Sequence, residues 1–376
     1  MEIPLASPDI GGRERSYVQD VLDSGDIKGD GEFGANCEQL IEAEFGAERA
    51  LMTSSCTHAL EMAALLLEID DGDEVIIPSY TFPSTATAFA LRGAEISFCE
   101  VRSSTLNLDP NALSNIISED TVAVVPVHYA GVGCEMDRIL QIAHDHDAAV
   151  VEDAAQAVNA TYQGAYLGTI ADIGCYSFHG TKSYVGGEGG TLLLNDPSLI
   201  ERAEIIRQKG TNYAKFRRGE IEEYTWVDVG SSYVPSELQS ALVYAQLQRR
   251  DELRTARQQV WNKYHRSFAE LEADEIVCRP RIPDGRESNY HIYFLLADSN
   301  TERNRLESFL RDHEINAASH YRPLHNSEMG QTYGYDTGDL PRTEQLAGRV
   351  LRLPLSTQLS ETDTDRIIDA VEAFYE

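Results

Sequence analysis

Three short segments of this 376-residue chain carry residue types that could do chemistry together. The first is Thr53-Ser-Ser-Cys-Thr-His-Ala-Leu60, small hydroxyl residues opening a helix-like run that extends to Ile69. Unpaired N–H groups at a helix N-terminus bind phosphate, and neighbouring hydroxyls add donors; taken alone, the same sequence serves equally as an N-cap. The second is Val150-Val-Glu-Asp-Ala-Ala-Gln156. An apolar strand running into Glu152 and Asp153 sets carboxylates at a sheet edge, where Asp153 suits a protonated ring nitrogen and Gln156 a ring oxygen. Capping of the next turn by one of the acids is the competing use. The third is Tyr176-Ser-Phe-His-Gly-Thr-Lys-Ser-Tyr-Val-Gly-Gly-Glu-Gly-Gly190. Lys182 lies there between a strand end near Phe178 and glycines that let backbone approach a ligand closely.

A phosphate cup, an acid for a pyridine nitrogen and an amine for an aldehyde are together what pyridoxal 5'-phosphate (PLP) requires. Lys182 would hold the cofactor as a Schiff base. Displaced by a substrate amine, it would become the base that moves a proton between substrate carbon and cofactor. Other nucleotide motifs fail: no Gly-Lys-Ser/Thr follows the glycine run, and Met136 stands where Gly131-Val-Gly133 would need its third glycine. That disfavours an oxidoreductase. The six cysteines (Cys37, Cys56, Cys99, Cys134, Cys175 and Cys278) are scattered without a Cys-x-x-Cys pair, so neither a zinc site nor a disulfide framework is expected.

Positioning these segments takes an α/β fold. β-branched runs over 74–78, 96–99, 122–127 and 149–152 alternate with helix-like stretches over 57–69, 83–92 and 136–146, and strand candidates over 173–178 and 190–194 follow. Continuous apolar strands between helices indicate a mostly parallel sheet covered on both faces. Its ligands belong beyond the strands' carboxyl ends. After residue 235 the texture changes to a long helical stretch over 237–257, a strand over 290–296, a helix over 301–313, the segment 320–325, and a last helix capped by Ser360 with Ile367, Val371 and Phe374 on one face. The expected division is a large domain over 1–245, whose N-terminal segment can pack on the other unit, and a small α/β domain over 246–376.

Composition sets further bounds. Hydrophobic residues make up 42%, enough for a sizeable core. No run is long and apolar enough for a membrane span, and the N-terminus lacks signal-peptide features, so a cytoplasmic protein is expected. A net charge of −31 argues against a nucleic-acid partner. The only lysines are Lys28, Lys182, Lys209, Lys215 and Lys263. Acid excess with so few lysines suggests a cytoplasm at molar salt, where charges are screened within ~3 Å.

The stretches GDEVIIPSYTFPSTATAFALRGAEISF, VVEDAAQAV, YSFHGTKSYVGGEGG and HYRPLH resemble the DegT/StrS family of sugar-nucleotide aminotransferases, a likeness running from about residue 3 to the C-terminus. GDIKGDGEF, TSSCTHALEMAALLL, VPVHYAGVGCEMD, KGTN and DVGSSY narrow it toward the branch that makes dTDP-4-amino-4,6-dideoxygalactose. The resemblance implies a PLP-dependent transferase of fold type I, a homodimer with shared active sites, and small-molecule substrates, glutamate and a nucleotide-linked keto sugar. It implies Lys182 as the Schiff-base lysine, Asp153 at the pyridine nitrogen, Gln156 at the ring hydroxyl and Phe82 stacked on the ring. Ser55, Cys56 and Ser177 would hold the phosphate, and His179, His320 and His325 would line the substrate site. Many members have Gly-x-Asn-x-Arg where this chain reads Gly230-Ser-Ser-Tyr-Val234, so Ser232 replaces the asparagine that reaches the neighbouring subunit's phosphate. The loop after Lys182 is also one residue shorter than in the nearest relatives. The implied reaction moves the amino group of glutamate to C4 of dTDP-4-dehydro-6-deoxyglucose. Alternatives are another nucleotide keto sugar, reacting at C3 or C4, and a PLP-binding regulatory protein without turnover.

Overall fold

A computed structural model describes residues 2–376. Two helices, α1 (Gly12–Ser24) and α2 (Glu32–Phe45), precede β1 (Arg49–Thr53). The chain then alternates through α3 (Cys56–Leu66), β2 (Glu74–Pro78), α4 (Pro83–Ala90), β3 (Glu95–Cys99), β4 (Thr121–Val124), α5 (Met136–His144), β5 (Ala149–Asp153), β6 (Ile173–Ser177) and β7 (Gly190–Leu194). These strands form one seven-stranded sheet in the order β1-β7-β6-β5-β4-β2-β3. Every pair from β6 to β3 is parallel, and β7 runs antiparallel to both its neighbours. The α/β class and the mostly parallel sheet are as expected. The run over 122–127 ends as a strand at Val124, two residues before Pro126, which has no N–H for a ladder. Strand β1 had no expected counterpart. Its sequence, Arg-Ala-Leu-Met-Thr, has no β-branched residue before Thr53, and it pairs only with β7.

Burial on both faces explains why the strands read as unbroken apolar runs. Successive side chains of a strand point to opposite faces. On one face Met52, Ile76, Val150 and Leu193 pack with Ile41 and Phe45 of α2 and Ile139 of α5. On the other, Leu51, Val75, Ile77, Val151 and Leu192 pack with Leu60 and Met62 of α3 and Phe89 of α4. Each fully buried Leu, Ile or Val contributes roughly 1.5–3 kcal/mol. The sheet is thereby a rigid platform for whatever its carboxyl edge carries.

The stretch over 237–257 is two helices, α6 (Glu237–Gln248) and α7 (Arg250–Ser267). The break falls at Arg249, whose guanidinium bridges Asp9, Glu14 and Glu252. Glu237, at the start of α6, accepts N–H bonds from Gly31, Phe33 and Gly34, supplying partners to the first turn of α2. Beyond the break, Trp261 and Tyr264 of α7 enter a second core with β8 (Tyr293–Leu296), α8 (Asn300–Asp312), β9 (Val350–Leu353) and α9 (Glu361–Tyr375). Ile3 joins this core, its N–H bonded to the Glu314 carbonyl at 2.8 Å. The expected strand over 290–296 begins only at Tyr293, because Tyr290 has a left-handed φ of 57°. Ser360 caps α9 as expected, while 320–325 is irregular chain leading into a single 3₁₀ turn, Leu324–Asn326. No helix among the described residues is long and apolar enough to cross a membrane.

Candidate active site

The carboxyl edge of the sheet opens onto a cavity of about 510 Å³. Its walls include Ser55, Cys56, Phe82, Asp153, Gln156, Ser177, His179, Lys182 and His320, all singled out from sequence, and neither Ser232 nor His325. At one end, Ser55 caps α3 by accepting the His58 N–H at 3.1 Å. The first N–H groups of α3 have no intrahelical acceptor and form the positive, anion-attracting end of the helix dipole. Gly190 starts β7 against this turn; a Cβ there would lie 2.5 Å from the Cys56 nitrogen, so only glycine permits the approach. Burial and nearby Asp153 push the Cys56 thiol well above its ordinary range, which leaves it neutral beside this anion site.

The two acids ending β5 have separate tasks. Glu152 is fully buried away from the cavity. It accepts N–H bonds from Gly168, Ile170 and Ala171 and lies 2.9 Å from His128 Nε2. Asp153, one residue on, points the other way. One oxygen accepts the Thr85 hydroxyl at 2.7 Å and the other the Ala155 N–H at 3.1 Å. Among the described residues no cation pairs with it, although a carboxylate has about four acceptor sites. A buried carboxylate without a counter-ion fits a protonated pyridine nitrogen. Phe82, left 57% exposed, lines the same cavity. Gln156 is held by the Ala130 N–H on its oxygen and by Tyr321 on its nitrogen, leaving one amide N–H free for a ring oxygen.

Lys182 sits in a loop closed by backbone bonds: Gly186 donates to Phe178, Gly180 to Gly187, and Phe178 to Gly189. Its own N–H donates to the His179 carbonyl at 2.9 Å. Desolvation pulls the amine below its ordinary value; Asp153 opposes this and Arg352 adds to it. A larger neutral fraction makes it a better nucleophile and base. The His179 ring contacts the Thr181 hydroxyl at 2.8 Å and lies 3.5 Å from Glu188 at the cavity mouth. His320 Nδ1 lies 2.9 Å from the Tyr129 hydroxyl, within hydrogen-bond reach. Burial, helped by Arg352 and Lys182, takes its pKa down to about 2, so the ring is neutral, and its Nε2 is left without a protein partner.

One expectation fails to reach the cavity. His325 is wholly buried, 2.6 Å from the Ser79 hydroxyl and 2.9 Å from Glu344, so it fastens the C-terminal segment to the end of β2 and lines no substrate site. Ser232, expected to act across to a neighbouring subunit, is exposed, bridged to Gln208, and outside this cavity. Conversely, sequence reasoning passed over Thr85, Arg257, His291, Tyr321 and Arg352, all of which line the cavity. The HYRPLH motif contained Tyr321 and the stretch around PSYTFPSTATAF contained Thr85; Arg257, His291 and Arg352 carried no local signal.

The match that decides the family covers residues 8–372 and is to the DegT/DnrJ/EryC1/StrS aminotransferase family. The chain belongs to this family. It is 33% identical over 377 residues to the spore coat polysaccharide biosynthesis protein SpsC of Bacillus subtilis, covering 98% of this chain and 96% of that one. It is 32% identical over 373 residues to GDP-perosamine synthase of Caulobacter vibrioides, covering 98% and 97%. Among solved structures, the PLP form of Spr1654 from Streptococcus pneumoniae, assigned as a sugar aminotransferase, superposes with a TM-score of 0.91 at 26% identity, covering 100% and 98%. The chain is thus an aminotransferase, and PLP is the cofactor that its phosphate cup, unpaired Asp153 and Lys182 fit.

Proposed function

We propose that the enzyme transfers the amino group of glutamate to the C4 keto carbon of dTDP-4-dehydro-6-deoxyglucose. The observation that carries a transamination reading is the pairing, across one cavity, of a buried carboxylate lacking a counter-ion with a desolvated lysine. Bound there, PLP supplies an electron sink for the bond to hydrogen that must break. Asp153 would hold a proton at the ring nitrogen, and the start of α3 with Ser55 and Ser177 would hold the phosphate. Phe82 would cover the ring, and Lys182 Nζ would move the proton at the substrate carbon. His320 would meet an oxygen of the sugar through its Nε2. The similarity to GDP-perosamine synthase makes a GDP-linked keto sugar the first alternative to try. Purified enzyme incubated with glutamate and the dTDP keto sugar should yield a dTDP amino sugar by mass spectrometry. No amino sugar from dTDP-linked, GDP-linked or 3-keto counterparts would refute the reading.

A homodimer belongs to the same proposal. Trp226 is 75% exposed, Val227 and Val229 are about as bare as Phe82, and Ser232 follows in the same segment. So much apolar surface on an otherwise charged chain favours coverage by a second copy. The face that carries Ser232 would then meet the neighbouring phosphate site. A monomer by sedimentation at micromolar concentration would count against it.

A further inference from the structure

The first turn of α4 fastens the other parts of the site to one another. Pro83 stands at its first position, where no N–H is needed, and the next two residues send their hydroxyls to different neighbours. Ser84 receives the Thr57 hydroxyl at 2.9 Å, from the turn of α3 that faces the cavity. Thr85 donates to Asp153 Oδ2 at 2.7 Å. A hydroxyl in a helix commonly returns to the carbonyl four residues earlier, as those of Ser114, Thr255 and Thr364 do here. That of Thr85 meets side chains instead. Its single hydrogen goes to the carboxylate, so the Thr81 hydroxyl, 2.8 Å away, must be the donor in the second contact. The result is a directed chain, Thr81 to Thr85 to Asp153, and all three residues are buried.

We propose that Thr85 is a positioning residue that holds the Asp153 carboxylate in the orientation in which it meets the cofactor's ring nitrogen. This rests on the placement of Asp153 at that nitrogen. The last torsion of an aspartate has broad wells, so the side chain alone does not fix the plane of its carboxylate. The Ala155 N–H, two residues along the same loop, tethers one oxygen at 3.1 Å and leaves the plane free to swing about it. The Thr85 hydroxyl comes from an element 68 residues away in the chain and fixes the other oxygen. Its length is that of a bond to an ionised oxygen, which is stronger than a neutral one. With both donors in place each oxygen still has an acceptor site to spare. Because α4 begins directly after Phe82, the same bond ties the ring proposed to cover the cofactor to the acid proposed to hold its nitrogen.

The test compares wild type with Thr85→Val, which keeps the branched shape without the hydroxyl, with Thr85→Ser, which keeps the hydroxyl, and with Asp153→Ala. Calorimetry on the full-length chain freed of cofactor measures binding of pyridoxamine 5'-phosphate and of an isostere whose ring nitrogen is replaced by carbon. The preference for the first reports the contact at the nitrogen without any turnover. Stopped-flow absorbance of the PLP-loaded proteins gives the maximal rate of bleaching by glutamate and the half-saturating concentration. A hydrogen bond to a charged group is worth about ten- to a hundredfold. Thr85→Val should lower both the preference and the maximal rate by about tenfold or more, with half-saturating glutamate little changed. Thr85→Ser should restore most of both. An undiminished preference in Thr85→Val would overturn the proposal, even in a variant that is slower and less stable in urea, because the hydroxyl would then serve packing alone. An undiminished preference in Asp153→Ala would instead defeat the placement of Asp153 on which the proposal rests.

Discussion

Replacing Asp153 by asparagine probes the centre of the site. The carboxylate is buried, uses its two oxygens on Thr85 and Ala155, and has no cation of its own. A carboxylate and a protonated pyridine about 4 Å apart attract by about 4 kcal/mol at an effective dielectric of about 20. That corresponds to about three units in the ring's pKa, and up to about a thousandfold in a step that needs the ring protonated. The substitution also has a structural cost. Of its two donors, the amide oxygen can keep only one, and a donor left unpaired costs about 1–3 kcal/mol. Stability must therefore be measured alongside rate. In stopped-flow absorbance, Asp153→Asn should bind PLP and stay folded in urea titrations, yet react with glutamate about two to three decades more slowly. A rate within tenfold of wild type, in a variant shown to be loaded and folded, would refute the assignment of Asp153 to the ring nitrogen.

Other outcomes follow from the same geometry. Lys182→Ala should still bind PLP noncovalently, because the phosphate cup and Asp153 remain, but lose turnover by several orders of magnitude; near-normal turnover would overturn its role. His325→Ala should destabilise the fold by about 2–4 kcal/mol in urea, since it strips partners from Ser79 and Glu344. Its KM for glutamate should hardly move, and a large KM change at unchanged stability would return His325 to the substrate site. The pH dependence has a definite sign. Burial holds His291 well below the ordinary histidine value of 6.5 and His320 at about 2. Below pH 6.5 the unfolded chain takes up protons at these positions, and at His265, that the folded chain refuses, so their contribution is present above that pH and is lost with acid at up to about 1.4 kcal/mol per pH unit for each ring. His128, raised to about 10, acts in the opposite sense only above pH 6.5. Urea titrations between pH 6.5 and 5 should show the decline, and His320→Gln should make it shallower; an unchanged slope in the variant would contradict the neutral ring. Finally, with a net charge of −31, melting temperature should rise as salt shrinks the Debye length from about 10 Å at 0.1 M to about 3 Å at 1 M. A fall over that range would remove the case for a high-salt cytoplasm.

What the sequence disclosed and what it hid divide along a physical line. Lys182, Asp153 and Ser55 were legible because each sits where one secondary structure element ends and another begins, and such junctions have local spelling. An apolar run ends in acids, glycines follow a lysine, and hydroxyls open a helix. The outer strands were less legible: β1 is formed because β7 offers it an edge, a fact about residues 49–53 and 190–194 jointly. The break at Arg249 escaped notice for a similar reason, since the acids that draw it out of the helix include Asp9 and Glu14, far away in the chain.

The histidines show how far a motif reaches. His320 and His325 stand five residues apart in one short stretch, and by type and spacing neither is the better ligand. The fold separates them through partners elsewhere. Ser79 and Glu344 capture His325 in the interior, while Tyr129 leaves the far nitrogen of His320 open. The same holds for Arg352, which reads as one polar residue in the strand Val-Leu-Arg-Leu and gains its meaning only from where β9 is mounted. The residues proposed to hold the cofactor come chiefly from junctions in the sheet, spelled locally. The groups that would sort substrates, His320, Tyr321, Arg352 and Arg257, come from the C-terminal third and reach the cavity through long-range packing. Family membership therefore carries over the chemistry of the cofactor more securely than the choice of sugar, because the first is written in contiguous residues and the second in how two distant stretches meet.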